Sequence, residues 1–175
     1  MQNFKKSVFA IIPNMFTVSN LLLGLVSIIF AIDGKFKEAA VMILFSVILD
    51  SMDGKVARKL DASSLFGKEL DSLSDLVSFG VAPAILMHQQ VLQKEFGIWG
   101  LFAVLLFVTC GALRLARFNV LNISEYFVGI PITAAGGLIA LVSLLAIQIK
   151  PLVIILFIIF LALLMVSNLK VRKYK

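Results

Sequence analysis

The feature that most constrains this chain is a succession of apolar runs, at about 14–32, 38–52, 73–92, 98–116, 131–149 and 151–168, with short polar stretches between them. A helix needs about 20 apolar residues to cross a bilayer. The first, fourth, fifth and sixth runs reach that length as they stand. The second reaches it if its helix continues through the polar stretch that follows, to about Lys59; the third opens on polar residues, Asp71 to Asp75, and turns apolar afterwards. Composition agrees: 61% of residues are hydrophobic, 15% charged, and the mean hydropathy is +1.05. Soluble domains average about 45–50% apolar and about 25% charged. A water-soluble globule, a disordered chain and a collagen-like chain are excluded, and one cysteine excludes a disulfide framework or a cysteine zinc cluster. The expected fold is all-α: a polytopic membrane protein with six transmembrane helices forming one domain over 1–175, its core at 13–170. Over residues 1–12 a short amphipathic juxtamembrane helix is expected, because Phe4, Val8, Ile11 and Ile12 recur at helical spacing with Lys5 and Lys6 off that stripe. A signal peptide fits less well, since no small-residue cleavage site follows.

The net charge of +6 would suit an anionic partner, but in a membrane protein it first reports orientation. Lys5, Lys6, Lys55, Arg58, Lys59, Lys68, Arg114, Arg117, Lys170, Arg172, Lys173 and Lys175 fall on one side, against Lys35, Lys37, Lys94 and Lys150 on the other. That bias puts both termini in the cytoplasm and the protein in the cell membrane. Trp99 falls at the outer interface, Tyr126 and Tyr174 at the inner one. The terminal basic clusters suit anionic lipid, and nothing calls for nucleic acid.

The chemistry is concentrated between Leu49 and Ser78. Asp50, Asp53, Gly54, Ala57 and Arg58 share one helical face, which carries two carboxylates, two small residues and a guanidinium. Asp71 and Asp75, four apart, share another face with Ser78 and Ala82. Two helices thus each offer a carboxylate pair at about the same depth. Ionisable groups at a membrane are functional candidates by default. Hard oxygen ligands without His or Cys suit Mg²⁺, Mn²⁺ or Ca²⁺, and two divalent ions would balance four aspartates and clamp a phosphoryl group. Gly54 and Ala57 would let a bulky ligand approach the backbone, and Arg58 can hold phosphate oxygens bidentately.

The pattern Asp50-x₂-Asp53-Gly54-x₂-Ala57-Arg58-x₈-Gly67-x₃-Asp71-x₃-Asp75 resembles the signature of the CDP-alcohol phosphotransferases, and the six-span layout with an amphipathic leader resembles their architecture. Asp71 to Pro83, Gly111 to Asn119 and Gly129 to Gly136 are similar to the phosphatidylserine synthase branch. The resemblance implies that Asp50, Asp53, Asp71 and Asp75 hold two metals, Mg²⁺ or Mn²⁺, with Asp75 also the general base. It implies that Asn14, Thr17, Gly54, Ala57, Arg58, Ser64 and Gly67 bind CDP-diacylglycerol. Transfer of the phosphatidyl group to L-serine with release of CMP would follow, in a homodimer embedded in the lipid bilayer. At least one of Arg114 and Arg117 is expected to turn inward and hold the serine carboxylate, with Ser78 nearby. Asn20 and Gly24 continue the Asn14–Thr17 stripe and read better as helix packing.

Other readings of the same residues remain. Glycerol 3-phosphate or inositol phosphate could be the acceptor, although a phosphorylated acceptor would need a denser basic pocket. The donor could be an archaeal ether lipid. From a different class, a divalent-cation transporter could use the same aspartates; transport sites, however, sit near the midplane, and these lie at helix ends.

Overall fold

The computed structural model describes residues 2–60, 64–121, 126–167 and 170–172, and side chains within 14–52, 64–120 and 129–167. It is built from helices: α1 (Gln2–Ile32), α2 (Phe36–Leu60), α3 (Leu65–Phe96), α4 (Ile98–Leu121), α5 (Ile132–Leu144) and α6 (Pro151–Val166). The one non-helical element among the described residues is an antiparallel ladder of β1 (Tyr126–Val128) with β2 (Lys170–Arg172), pairing Phe127 with Val171. Among the described residues, three helices are long and apolar enough to cross a membrane: Asn14–Ile32, Leu65–Phe96 and Ile98–Val120. Ile132–Leu144 and Pro151–Val166 are shorter apolar helices.

The sequence and the structure differ at three places. The leader expected at 1–12 begins the same unbroken helix as the first span rather than forming an element of its own; its side chains lie outside the described residues. The run at 131–149 is not one helix: α5 ends at Leu144, and a single 3₁₀ turn, Ala146–Gln148, precedes Pro151. Proline at the first helical position restarts the helix there. The third span starts earlier than its apolar run, because Ser64 caps Leu65: its backbone is extended (φ −125, ψ 154) and its hydroxyl accepts from the Gly67 N–H at 3.0 Å. Such a cap satisfies one orphan donor of the first turn. The second helix continues past the apolar run to Leu60, as its need for length required.

The buried face of α1 is built largely from small and polar side chains. On α1 the buried positions are Thr17, Asn20, Gly24, Ser27 and Ala31, at alternating spacings of three and four, while Met15, Leu22, Leu25, Ile29 and Ile32 are exposed. Small and weakly polar side chains let helices approach closely where lipid offers no hydrophobic drive for association. The Ser27 hydroxyl donates to the Ala39 carbonyl of α2 at 2.9 Å, and Ser46 Oγ on α2 donates to the carbonyl of Asn20 at 3.2 Å and meets its Oδ1.

The middle of α3 is not regular. Leu65–Asp75 is α-helical, Leu76–Val81 is a π turn, Ala82–Met87 is α-helical and His88–Leu92 is a second π turn. The first π turn begins directly after Asp75, and wide turns of this kind recur at functional sites. It is gripped from both sides. A Cβ on Gly24 of α1 would lie 2.5 Å from Ser78 Oγ and 2.8 Å from its Cα. A Cβ on Gly136 of α5 would lie 2.5 Å from the Phe79 carbonyl oxygen. Only glycine fits at either point, so the backbone after Asp75 is fixed by two neighbouring helices.

Candidate active site

Asp50 comes from α2, Asp71 and Asp75 from successive turns of α3. One carboxylate oxygen from each lies within 4.8 Å of the others. The three line a cavity of about 280 Å³ together with Arg114 and Asn119 of α4 and Pro131, Ile132 and Thr133 at the start of α5. A 32-residue helix at about 1.5 Å per residue outruns a hydrocarbon core of about 30 Å. The polar first turns of α3 therefore project past the apolar layer and carry Asp71 with them.

Asp75 is buried, at 9% exposure, and the Ser74 hydroxyl beside it donates to the Thr17 carbonyl of α1 at 2.9 Å. Ser78, one turn on, donates to the Asn20 carbonyl at 3.0 Å. These two bonds and the glycine contacts hold the carbonyl-facing side of α3 against α1, which leaves the Asp71–Asp75 side turned to the cavity. The donor set is three carboxylates from two helices with no His or Cys among them, the hard-oxygen chemistry that suits a divalent cation such as Mg²⁺ or Mn²⁺.

The expected CDP-binding residues divide. Asn14, Ser64 and Gly67 come together: a Cβ on Gly67 would sit 3.1 Å from both Asn14 Oδ1 and Ser64 Oγ. The glycine thus leaves a small polar niche at the start of α3. Thr17 is buried, and its carbonyl is the acceptor for Ser74. Asp53, Gly54, Ala57 and Arg58 belong to α2, but their side chains lie outside the described residues.

The two arginines separate as well. Arg114 lines the cavity, with its Nε buried and unpartnered. Arg117 is exposed, and its Nη1 donates to the Val166 carbonyl at the end of α6 at 3.4 Å. Ser78, expected near the acceptor, lies instead in the contact between α1 and α3, wholly buried. It shares the α1-facing side with Ser74, four residues before it. Asn20 and Gly24 are helix packing, as their small size suggested.

Lys68, Ser72 and Asn119 are among the cavity residues not singled out as site residues from sequence. Lys68 counted only as a marker of orientation and Asn119 only as part of a longer similarity. A signal was available, since Lys68, Asp71, Ser72 and Asp75 stand at offsets of zero, three, four and seven, one helical face.

The model of the CDP-alcohol phosphatidyltransferase family matches residues 10–168. A Helicobacter pylori protein named CDP-diacylglycerol–serine O-phosphatidyltransferase is 42% identical over 172 residues, covering 93% of this chain and 72% of its own length. A Methanocaldococcus jannaschii protein of the same name is 40% identical over 163 residues, covering 93% and 74%. A Methanothermobacter thermautotrophicus protein named archaetidylserine synthase is 42% identical over 140 residues, covering 78% and 59%. With Asp50, Asp71 and Asp75 of the signature brought together at one cavity and the family model spanning nearly the whole chain, the chain belongs to the CDP-alcohol phosphatidyltransferase family.

Proposed function

We propose that this protein transfers the phosphatidyl group of CDP-diacylglycerol to L-serine and releases CMP. The observation that carries the reading is the meeting of Asp50, Asp71 and Asp75 with Arg114 in one cavity, in a chain whose relatives bear serine phosphatidyltransferase names. Asp50, Asp53, Asp71 and Asp75 would hold two divalent ions, Mg²⁺ or Mn²⁺. Bound there, such ions neutralise diphosphate oxygens and stabilise the departing CMP. The niche of Asn14, Ser64 and Gly67, together with Thr17, Gly54, Ala57 and Arg58, receives the CDP moiety. Asp75 orients the serine hydroxyl and takes its proton as the new P–O bond forms at the lipid-side phosphorus and the bond to CMP breaks. Arg114 holds the serine carboxylate; its buried Nε, without a protein partner, supports that role. Arg117, engaged at the end of α6, takes no part.

The cavity opens to the cytoplasm in this reading, where CMP and serine are dissolved, with both termini on the same side of the cell membrane. Residues 13–170 form one six-span domain, and the family likeness carries the homodimer. The similarity to a protein named archaetidylserine synthase favours a second version, with the same acceptor but an ether-linked donor. One experiment tests both. Purified protein is given acyl or ether CDP-lipid, Mn²⁺ or Mg²⁺, and serine, glycerol 3-phosphate or inositol phosphate, and CMP release is measured. Serine should be the only productive acceptor. CMP release dependent on one of the phosphorylated acceptors instead would overturn the assignment.

A further inference from the structure

We infer that Lys68, held in place by Asn119 and Ser72, is the second cation of a subsite that binds the acceptor's carboxylate alongside Arg114. The inference rests on the serine reading above and adds the residues that select the acceptor. Lys68, Asp71, Ser72 and Asp75 form one stripe of α3, and all four line the cavity. The stripe therefore changes sign along its length, from a cation in the first turn to carboxylates in the following two.

What Lys68 touches fixes its position without neutralising it. Its Nζ donates to the Asn119 carbonyl oxygen at 3.3 Å and lies 5.8 Å from the centre of the Phe118 ring. Among the described residues the ion pair within 4 Å is Lys35 with Asp33, at the far end of the bundle; Lys68 has none. An ammonium carries three N–H donors, so capacity remains after the bond to Asn119. The Asn119 side chain closes the arrangement: its Nδ2 donates to Ser72 Oγ at 3.0 Å and towards a Glu69 carboxylate oxygen at 3.4 Å, while the Ser72 hydroxyl reaches the Lys68 carbonyl at 3.1 Å. Glu69 is thus turned to the asparagine rather than to the lysine. This network ties the first turn of α3 to the end of α4, the helix that carries Arg114.

Two cations, one with a buried and unpartnered Nε, then face the same cavity as three carboxylates. An acceptor that is anionic at one end and carries a hydroxyl at the other satisfies both sets, its carboxylate on Lys68 and Arg114 and its hydroxyl towards Asp75. A neutral polyol leaves both cations without a counter-charge, and a site built to pair a charged group rejects the analogue that lacks it. Lys68 is a binding residue in this scheme, and Asn119 and Ser72 are positioning residues.

The test compares L-serine with serinol, which keeps the hydroxyl and ammonium groups and has a second CH₂OH in place of the carboxylate. The ratio of kcat/KM for serine to that for serinol is measured for the wild-type protein and for Lys68→Met, which keeps the length of the side chain. A hydrogen bond to a charged group contributes enough that its loss should lower this ratio at least about tenfold, chiefly through the KM of serine. Lys68→Arg should restore it to within about threefold. A ratio that falls by less than tenfold in Lys68→Met overturns the inference, because a merely structural role would depress both acceptors alike. If Lys68→Met does not fold, Lys68→Gln is measured against the same limits. Failure of the underlying reading looks different: the wild-type protein would then release no CMP with serine at all.

Discussion

Two sets of polar side chains on α3 lie within two turns of each other and behave in opposite ways. Ser74 and Ser78 point to α1 and are fully buried, each donating to a backbone carbonyl, of Thr17 and Asn20 respectively. Asp71, Ser72 and Asp75 point to the cavity, where three carboxylate oxygens crowd within 4.8 Å. The first set is complete within the protein and acts as glue between helices. The second gathers three carboxylates around one cavity, at a helix end where ionisable residues are costly to keep. Polar residues in a membrane bundle thus sort by what they meet: an internal acceptor marks structure, and accumulated charge at an open cavity marks function.

Removing the counter-charge should expose the difference most strongly. Exhaustive chelation should abolish CMP release, and Mn²⁺ or Mg²⁺ should restore it, with the thermal midpoint in detergent changing far less than the rate; full turnover in the chelated protein would remove any functional role of the acidic cluster as a metal site. Next in size is Asp75→Asn, which keeps shape and one oxygen but loses the proton acceptor. Single-turnover CMP release should drop by about 10²–10⁴-fold while CDP-diacylglycerol still binds in the presence of metal. A loss within about tenfold, below the range for general-base removal, would move the base elsewhere.

Gly24→Leu attacks the structural set instead. A side chain at a point where a Cβ already meets Ser78 at 2.5 Å should destabilise the bundle by about 1–3 kcal/mol, the usual cost of overpacking, read as a lower unfolding midpoint. Turnover should fall with it, because the π turn after Asp75 must shift; an unchanged midpoint would show that the grip of α1 on this turn is not needed. The smallest effect belongs to Ser74→Ala. It removes one hydrogen bond to a carbonyl that the helix already uses, so the loss should be about 0.5–1.5 kcal/mol with turnover within a few-fold of wild type. A loss of turnover as large as that of Asp75→Asn would place Ser74 with the functional set and break the distinction.

Much of this was legible in the sequence, and unevenly so. The apolar runs and the spacing of Asp50, Asp71 and Asp75 announced a membrane bundle with an acidic site, because helical periodicity alone decides which residues of one helix share a face. The family resemblance, not periodicity, named Asn14, Ser64 and Gly67, which the structure brings together. Periodicity grouped Ser78 with Asp75, whereas the structure sets Ser78 beside Ser74 against α1, and it could not show the π turn at Leu76–Val81. It also left Lys68 as a marker of orientation and could not choose between Arg114 and Arg117, three residues apart on one helix.

What the sequence determined by itself was therefore local and periodic: the apolar helices, the carboxylate pair of α3 and the small-residue stripe of α1. What only the tertiary structure decided were the matters that depend on a second helix. The approach of α4 turned Arg114 to the cavity and left Arg117 at the end of α6. Asn119 fixed Lys68 across a separation of 51 positions in the chain. Gly24 and Gly136, on different helices, clasped one turn of α3 between them. The physical reason is that a residue's face on its own helix follows from a fixed number of residues per turn, whereas its partner across a helix contact follows from how closely two backbones can approach, and that distance is set jointly by side chains far apart in the chain.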